Sequence, residues 1–384
     1  MQLTGALAGL KVIEIAAIGP APFCAMMLAD HGAEVIRIMP PGAAHPGPLD
    51  SSKDVLARSR KFMIVDLKHA AGVRIVRDLC LSADGFIEGF RPGVMERLGL
   101  GPEPLLADNP RLVYGRMTGW GQTGPRARTA GHDINYIALS GVLDCLGRAG
   151  DKPTPPVNLI GDFGGGGMLL AFGMLAAILH ARQTGRGQAI DCAMIDGSAL
   201  LSSMICSLVA QGVWSDRRGT NTLDTGAHFY DTYVCADGAH ISIGAIEPKF
   251  YAEFLRRLGI EQSGDFARQH DRTAWPSLKD KIARAVAAKT RRQWCEIFDG
   301  SDACVAPVLS LAEAPREAHN AERGTFMEVG GVVQPRPAPR FSVTAPADPI
   351  MPSFAHATDS AQLLRAIGYS EQSIESLRAS GTLR

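Results

Sequence analysis

The sequence predicts an α/β protein, with a large parallel-sheet domain followed by a smaller α+β domain. Continuous apolar runs alternate with helical stretches from residue 10 to residue 116, the signature of a mostly parallel sheet with helices on its faces. Residues 228–246 instead alternate apolar with polar positions around Ala236-Asp237-Gly238, which reads as a hairpin. The length of 384 residues exceeds one ordinary core, so two domains are expected.

In chain order, LKVIEIA (10–16) is an apolar strand, GPAP (19–22) a turn, and FCAMMLADHG (23–32) a helix stopped by Gly32. AEVIRI (33–38) is the next strand. This β-α-β start is of Rossmann type, but AIGPAP lacks the GxGxxG spacing, so a dinucleotide site is weakly supported. PPGAAHPGPLD (40–50) is a loop. Strand KFMIVDL (61–67), helix HAAGVRIVRDLCLSA (69–83), strand GFIEGF (85–90) and strand RLVYGRMTGW (111–120) follow. Ligands on such sheets bind beyond the strand C-termini, where GFRPG (89–93) and TGWGQTG (118–124) are expected. After Asp162, GMLLAFGMLAAILHARQ (167–183) is a helix ending at TGRGQ, and residues 189–214 give a strand and then a helix. SDRRGTNTLDTG (215–226) lacks apolar periodicity and reads as a linker between domains 1–214 and 227–325. Glu247-Pro248 opens the helix KFYAEFLRRLG, since proline fits the first helical turn. Helical stretches at 276–288 and 290–299, and two short helices within 360–381, complete the chain.

Lys+Arg and Asp+Glu both number 39, so net charge points to no nucleic-acid partner. The eight cysteines form no CxxC and no Cys/His cluster, which fits reduced thiols in a cytoplasmic enzyme better than zinc or disulfides. MQLTGALAGLKVIEIA has no basic n-region, and the ending GTLR does not resemble a peroxisomal address. Gly164–Leu179 and Gly197–Trp214 are nearly free of charge; at their lengths they are expected to be buried core helices rather than membrane spans.

Two features of residues 131–168 look like chemistry. One is His132 beside Asp133; the other is Asp162, just before the four glycines that open the apolar helix. An imidazole takes or gives a proton near neutral pH, and a carboxylate is favoured at a helix start. Together they are suited to flank one carbon as acid and base. Each also has a plainer reading. His132 alone could be a satisfied structural histidine, and Asp162 alone an N-cap. The glycines could serve only close helix packing, and Glu247 only the helix dipole. Arg91 and Lys68 could be solvated surface charges, and Met168, Met194 and Met204 core filler.

Strings spread over almost the whole chain carry a resemblance. They are LKVIEIAAIGP, DLK (66–68), GFRPGVMERLGLGPE, RMTGWGQTGP, GHDINY, GDFGGGGM, TGRGQ, YDTY, GAIEPKFY, SDACVAPV and IGYSEQSI. Each is weak alone; together they are specific. The chain closely resembles the α-methylacyl-CoA racemases of the family III CoA-transferase-like group. The resemblance implies a Rossmann-like large domain, an interlocked homodimer with a shared active site, and a C-terminal segment (326–384) returning to the large domain. It implies an acyl-CoA thioester as substrate, no cofactor beyond that CoA, and no membrane.

The implied reaction inverts the carbon next to the thioester carbonyl. A proton must leave one face and another arrive on the opposite face, which two groups alternating as base and acid accomplish. Carried over motif by motif, His132 and Asp162 are that pair, and Asn158 supports Asp162. Glu247 is the carboxylate that orients the histidine from the partner subunit, where an anion would favour imidazolium. Arg91, Arg97 and Lys68 would line the CoA groove, with Val65, Asp66 and Leu67 beside the adenine-ribose end. Gly89, Phe90, Gly131, Asp133, Ile134, Asn135 and Tyr136 complete the implied binding set. Relatives carry an arginine that stacks on adenine where this chain has Pro40; either Arg37 compensates or CoA affinity is weaker. N–H groups near Gly164 or Asp133 are candidate donors to the enolate, one well-aimed donor being worth ~3–4 kcal/mol.

Three rivals remain. A CoA-transferase on the same fold would use Asp162 as nucleophile, but transferases usually carry Tyr, Phe or another residue in place of His132 and lack the Glu247 partner. A non-catalytic acyl-CoA binder needs none of His132, Asp162 and Glu247. An NAD-dependent enzyme suffers from the missing GxGxxG.

Overall fold

The computed structural model describes residues 4–42, 51–352 and 359–383; most of the predicted 40–50 loop lies outside them. Two compact units are present, one from residues 1–140, 157–201 and 318–384, the other from residues 141–156 and 202–317.

The first unit is built on six parallel strands: β1 (Lys11–Ile15), β2 (Glu34–Met39), β3 (Lys61–Ile64), β4 (Gly85–Glu88), β5 (Val113–Thr118) and β6 (Gln188–Ala193), in the order β3-β2-β1-β4-β5-β6. β1 shows why these strands read as mostly apolar runs. Ile13 and Ile15 enter one core with Ile75 and Leu79, while Val12 enters the other with Leu28 and Met174. A parallel sheet covered on both faces favours apolar residues on both, and the buried Glu14 of β1 is held by Arg37 and Arg60. The covering helices are α1 (Pro20–Asp30), α2 (Ala70–Cys80), α3 (Val94–Arg97), α4 (Pro102–Asp108), α5 (Asp133–Leu139), α6 (Leu169–Thr184) and α7 (Met194–Leu201). The strand order reverses between β1 and β4, so the connections leaving those two strands diverge and open a crevice at their C-terminal ends.

Two boundaries differ from the sequence reading for physical reasons. α1 begins at Pro20 rather than Phe23, because proline fits the first turn and Gly19 adopts the φ of 71° needed before it. The helix after Asp162 begins earlier, as a π-helical stretch over Leu159–Met168 that continues into α6. Asp162 is therefore inside its first turn rather than the N-cap, a place taken by Asn158. The glycines of this stretch allow close packing: a Cβ on Gly166 would lie 2.9 Å from Pro20 Cβ, and one on Gly167 2.7 Å from the Phe23 ring.

The expectation of wholly buried helices is corrected. Leu159–Thr184 is long and apolar enough to cross a membrane by length and composition, and its inner face, with Leu170, Met174 and Ile178, packs on the sheet. Its outer face carries Met168, Phe172, Leu175 and Leu179 in the open, Phe172 being 70% exposed. Those spacings of four, three and four residues form one stripe. Leu200 and Leu201 at the end of α7 are also exposed. Periodicity reports apolarity on all sides of a helix but not whether a single chain supplies a cover.

Residues 318–384 belong to the first unit, where Leu364, Ile374 and Leu383 are buried in the core that holds Ile13. The Asp66 N–H donates to the Thr382 carbonyl at 2.9 Å.

In the second unit, after α8 (Ser203–Ala210), the antiparallel strands β7 (Tyr230–Val234), β8 (His240–Gly244) and β9 (Val305–Pro307) form a three-stranded sheet. α9 (Pro248–Leu258), α10 (Trp275–Val286) and α11 (Arg291–Phe298) share a core with them that includes Phe229, Phe254, Trp275 and Trp294. Residues 215–226 lie inside this unit. The Asp224 carboxylate accepts the N–H groups of Gly219 (2.9 Å) and Asn221 (2.7 Å), and the Asn221 amide bonds the Ser215 carbonyl at 2.9 Å. These local polar bonds order a segment that has no apolar period.

Candidate active site

A cavity of about 630 Å³ opens at the crevice where the strand order reverses. Ile18 and Gly19 come from the connection after β1, Gly89, Phe90 and Arg91 from that after β4, and Trp120, Thr129–Asp133 and Tyr136 from that after β5. Asn158 and Asp162 come from the π-helical stretch, and Met194 from the start of α7. His132 and Asp162 thus meet at one cavity, although thirty residues separate them in sequence.

His132 is exposed and sits at the N-cap of α5, where the Asn135 side-chain oxygen accepts its backbone N–H at 3.1 Å. Asn135 is thereby engaged in holding the histidine. Gly131 comes before it for a steric reason: a Cβ there would lie 2.7 Å from the Tyr136 ring and 3.0 Å from Trp120. Those two rings meet edge to face with centroids 4.7 Å apart.

Asp162 is half-buried, and its Oδ2 accepts a bond from the Asn158 amide at 3.0 Å. Its own N–H donates to Asp133 Oδ1 at 2.7 Å. Burial is the first cause that pushes its carboxyl above the usual range; the Asn158 amide opposes this, the Asp133 charge adds to it, and His132 opposes it. Burial and then the Asp162 charge likewise push the Tyr136 phenol up. A carboxyl so placed keeps more affinity for a proton than one in water.

Of the remaining predicted residues, Gly89, Phe90, Arg91, Gly131, Asp133 and Tyr136 line the cavity. Val65, Asp66, Leu67 and Lys68 follow β3, on the same C-terminal edge of the sheet, and Arg97 ends α3. Arg91, Arg97 and Lys68 are exposed and carry no ion pair among the described residues. Arg37 differs. Its side chain is 12% exposed, pairs with the buried Glu14 at 2.9 Å, and donates to the Ala17 carbonyl at 3.1 Å, two residues before Gly19. Its guanidinium is occupied in holding that connection. Ile134 is exposed on α5. Glu247 is an exposed N-cap of α9 in the second unit and is not among the residues lining the cavity.

Sequence reasoning missed Glu88. Its carboxylate is buried at the end of β4, accepts the Phe90 N–H at 2.7 Å and meets Arg116 Nε at 3.3 Å, while Arg116 also reaches Glu96 at 2.7 Å. It thus clamps the turn that presents Phe90 and Arg91. The available signal was a lone charge closing the apolar strand GFIE. Burial raises its carboxyl from 4.5 to about 7, against the opposing Phe90 N–H and Arg116. The folded protein therefore binds more protons than the unfolded chain between those values, so the Glu88 contribution to stability declines as pH rises from 4.5 to 7. Urea unfolding at both ends of that window is expected to show wild type losing stability relative to Glu88→Gln as pH rises. An equal difference at both ends would refute this.

A profile of the family described as CoA-transferase family III matches residues 7–354. An alpha-methylacyl-CoA racemase from Mus musculus is 46% identical over 377 residues, covering 97% of this chain and 96% of that protein. The Homo sapiens protein of the same name is 44% identical over 379 residues, with the same coverage. Among solved structures, a CAIB/BAIF family protein from Brucella suis superposes with a TM-score of 0.81 at 25% identity, covering 95% of this chain and all of that one.

Proposed function

This chain belongs to CoA-transferase family III, and from that premise we propose that it is an α-methylacyl-CoA racemase. It interconverts the two configurations of a 2-methylacyl-CoA thioester at its α-carbon. The observation that carries this reading is the meeting of His132 with Asp162 at one cavity.

The thioester carbonyl acidifies the α C–H. In one direction the Asp162 carboxylate removes the proton, the C–H electron pair passes into the carbonyl to give an enolate, and His132 as imidazolium delivers a proton to the opposite face. In the other direction the roles exchange. Asn158 orients Asp162. Gly164 lies inside the π-helical stretch, whose own bonding pattern takes up its N–H, so the first turn of α5 with the Asp133 N–H is assigned as donor to the enolate oxygen.

CoA lies along the C-terminal edge of the sheet, from the cavity past Arg91 toward Val65–Lys68. Arg91, Arg97 and Lys68, exposed and without an ion pair among the described residues, support contact with its phosphates there. Arg37 acts as a brace rather than as a substitute for the arginine that Pro40 replaces. Apolar Phe90, Trp120 and Met194 leave room for the acyl group. No separate cofactor takes part.

The active form is a homodimer. The exposed stripe Met168-Phe172-Leu175-Leu179 supports it, since burying such side chains contributes about 1.5–3 kcal/mol each. Glu247 of the partner subunit reaches His132 in that assembly. The eight free thiols support a cytoplasmic location.

The test is proton NMR of a single-enantiomer 2-methylacyl-CoA with the purified protein in D2O. Loss of the α-proton signal with build-up of the opposite enantiomer is expected. No exchange, but CoA transfer to an added carboxylic acid, would overturn the reading and make Asp162 the nucleophile of a transferase.

A further inference from the structure

We propose that Asp133 is a positioning residue for Asp162, its carboxylate anchoring the Asp162 backbone and placing a second negative charge beside that side chain. This rests on the proton-transfer reading above and deepens it.

Asp133 is only 6% exposed. Its Oδ1 accepts the Asp162 N–H at 2.7 Å, and a Cβ on Gly161 would lie 2.4 Å from that same oxygen. Only glycine before Asp162 permits the approach. Oδ2 is buried with no hydrogen-bond partner, and the carboxylate has no ion pair among the described residues. A carboxylate so placed puts a like charge beside Asp162, and a like charge raises a neighbour's affinity for a proton.

Of the other groups at this cavity, Arg91 from the connection after β4 is a cation that acts against the push on Tyr136. α5 presents His132, which acts oppositely to Asp133, and Tyr136, which is itself pushed up by Asp162. The segment that carries Asp162 meets α1 through Pro20 and Phe23, and α7 through Met194 and the Gly197-Ser198 backbone, none of which titrates near neutrality. The Asn158 amide is neutral and lowers the Asp162 carboxyl, and Asp133 works against it. The result is a base whose proton affinity is drawn toward the working pH, where general catalysis is most effective.

The test compares wild type, Asp133→Asn and Asp133→Ser in α-proton exchange of 2-methylacyl-CoA in D2O across pH. Asn keeps an oxygen that accepts the Asp162 N–H but removes the charge; Ser is a second neutral acceptor, so the comparison does not hang on one variant folding. Circular dichroism identifies the folded variants. The acid limb of kcat/KM is expected to move to lower pH in either neutral variant, with kcat on the plateau reduced about tenfold because a weaker base remains. A role in packing alone would lower kcat or the melting temperature without moving that limb. Limbs that superpose on wild type overturn the inference while leaving racemisation intact. No exchange by wild type overturns the racemase reading itself, and the inference with it.

Discussion

His132→Ala is expected to abolish inversion while leaving half of the proton chemistry in place. A positioned acid or base contributes about 100- to 10,000-fold, so kcat for racemisation falls by that order, and KM changes by less than about threefold because the lost interaction belongs to the transition state. Asp162 remains, with its raised carboxyl and its Asn158 and Asp133 contacts intact. The enantiomer whose α-hydrogen faces Asp162 therefore still exchanges with solvent deuterium, at retained configuration, because no acid is left on the other face. The opposite enantiomer is inert. NMR on each pure enantiomer in D2O reads this directly, and inversion at the wild-type rate would sink the role of His132.

Asp162→Asn is expected to give the complementary result. Asn is close to isosteric and can still sit beside the Asn158 amide, so the cavity keeps its shape while the carboxylate is lost. Inversion again falls about 100- to 10,000-fold, but now only the enantiomer that faces His132 exchanges. The pair of variants together is decisive. If both exchange the same enantiomer, the two groups do not stand on opposite faces of the substrate. If Asp162→Asn instead retains full racemisation and loses only a CoA-transfer reaction, the carboxylate serves as nucleophile and the racemase mechanism fails.

Much of this architecture was legible in the residues. LKVIEIA and AEVIRI read as buried strands because a parallel sheet covered on both faces favours apolar side chains on both, and β1 divides Val12 from Ile13 and Ile15 between two cores, while its Glu14 is buried only because Arg37 and Arg60 pair with it. GFRPG leaves the C-terminal end of β4 and TGWGQTG starts at the last residue of β5, as expected, because each follows its strand in the chain and all six strands run parallel. Other features were not legible. Asp162 reads as a helix cap because a π-helical turn has no sequence period of its own; it forms where Gly166 and Gly167 press against Pro20 and Phe23. Glu88 was passed over because the Phe90 N–H and Arg116 that justify its burial come from the next turn and the next strand.

The sequence by itself determined the fold class, the family and the chemical types present: an imidazole, a carboxylate and cations, each marked by local pattern. Tertiary structure alone decided how they work together. The reversal of strand order between β1 and β4 makes the crevice, and burial beside Asp133 raises the carboxyl at Asp162. It also decided which side of α6 faces the sheet and which carries Phe172 in the open. The physical reason is common to all three. Periodicity and residue type are properties of neighbours along the chain, whereas proton affinity, crevices and exposed faces depend on groups brought close from distant positions, and only folding sets those distances.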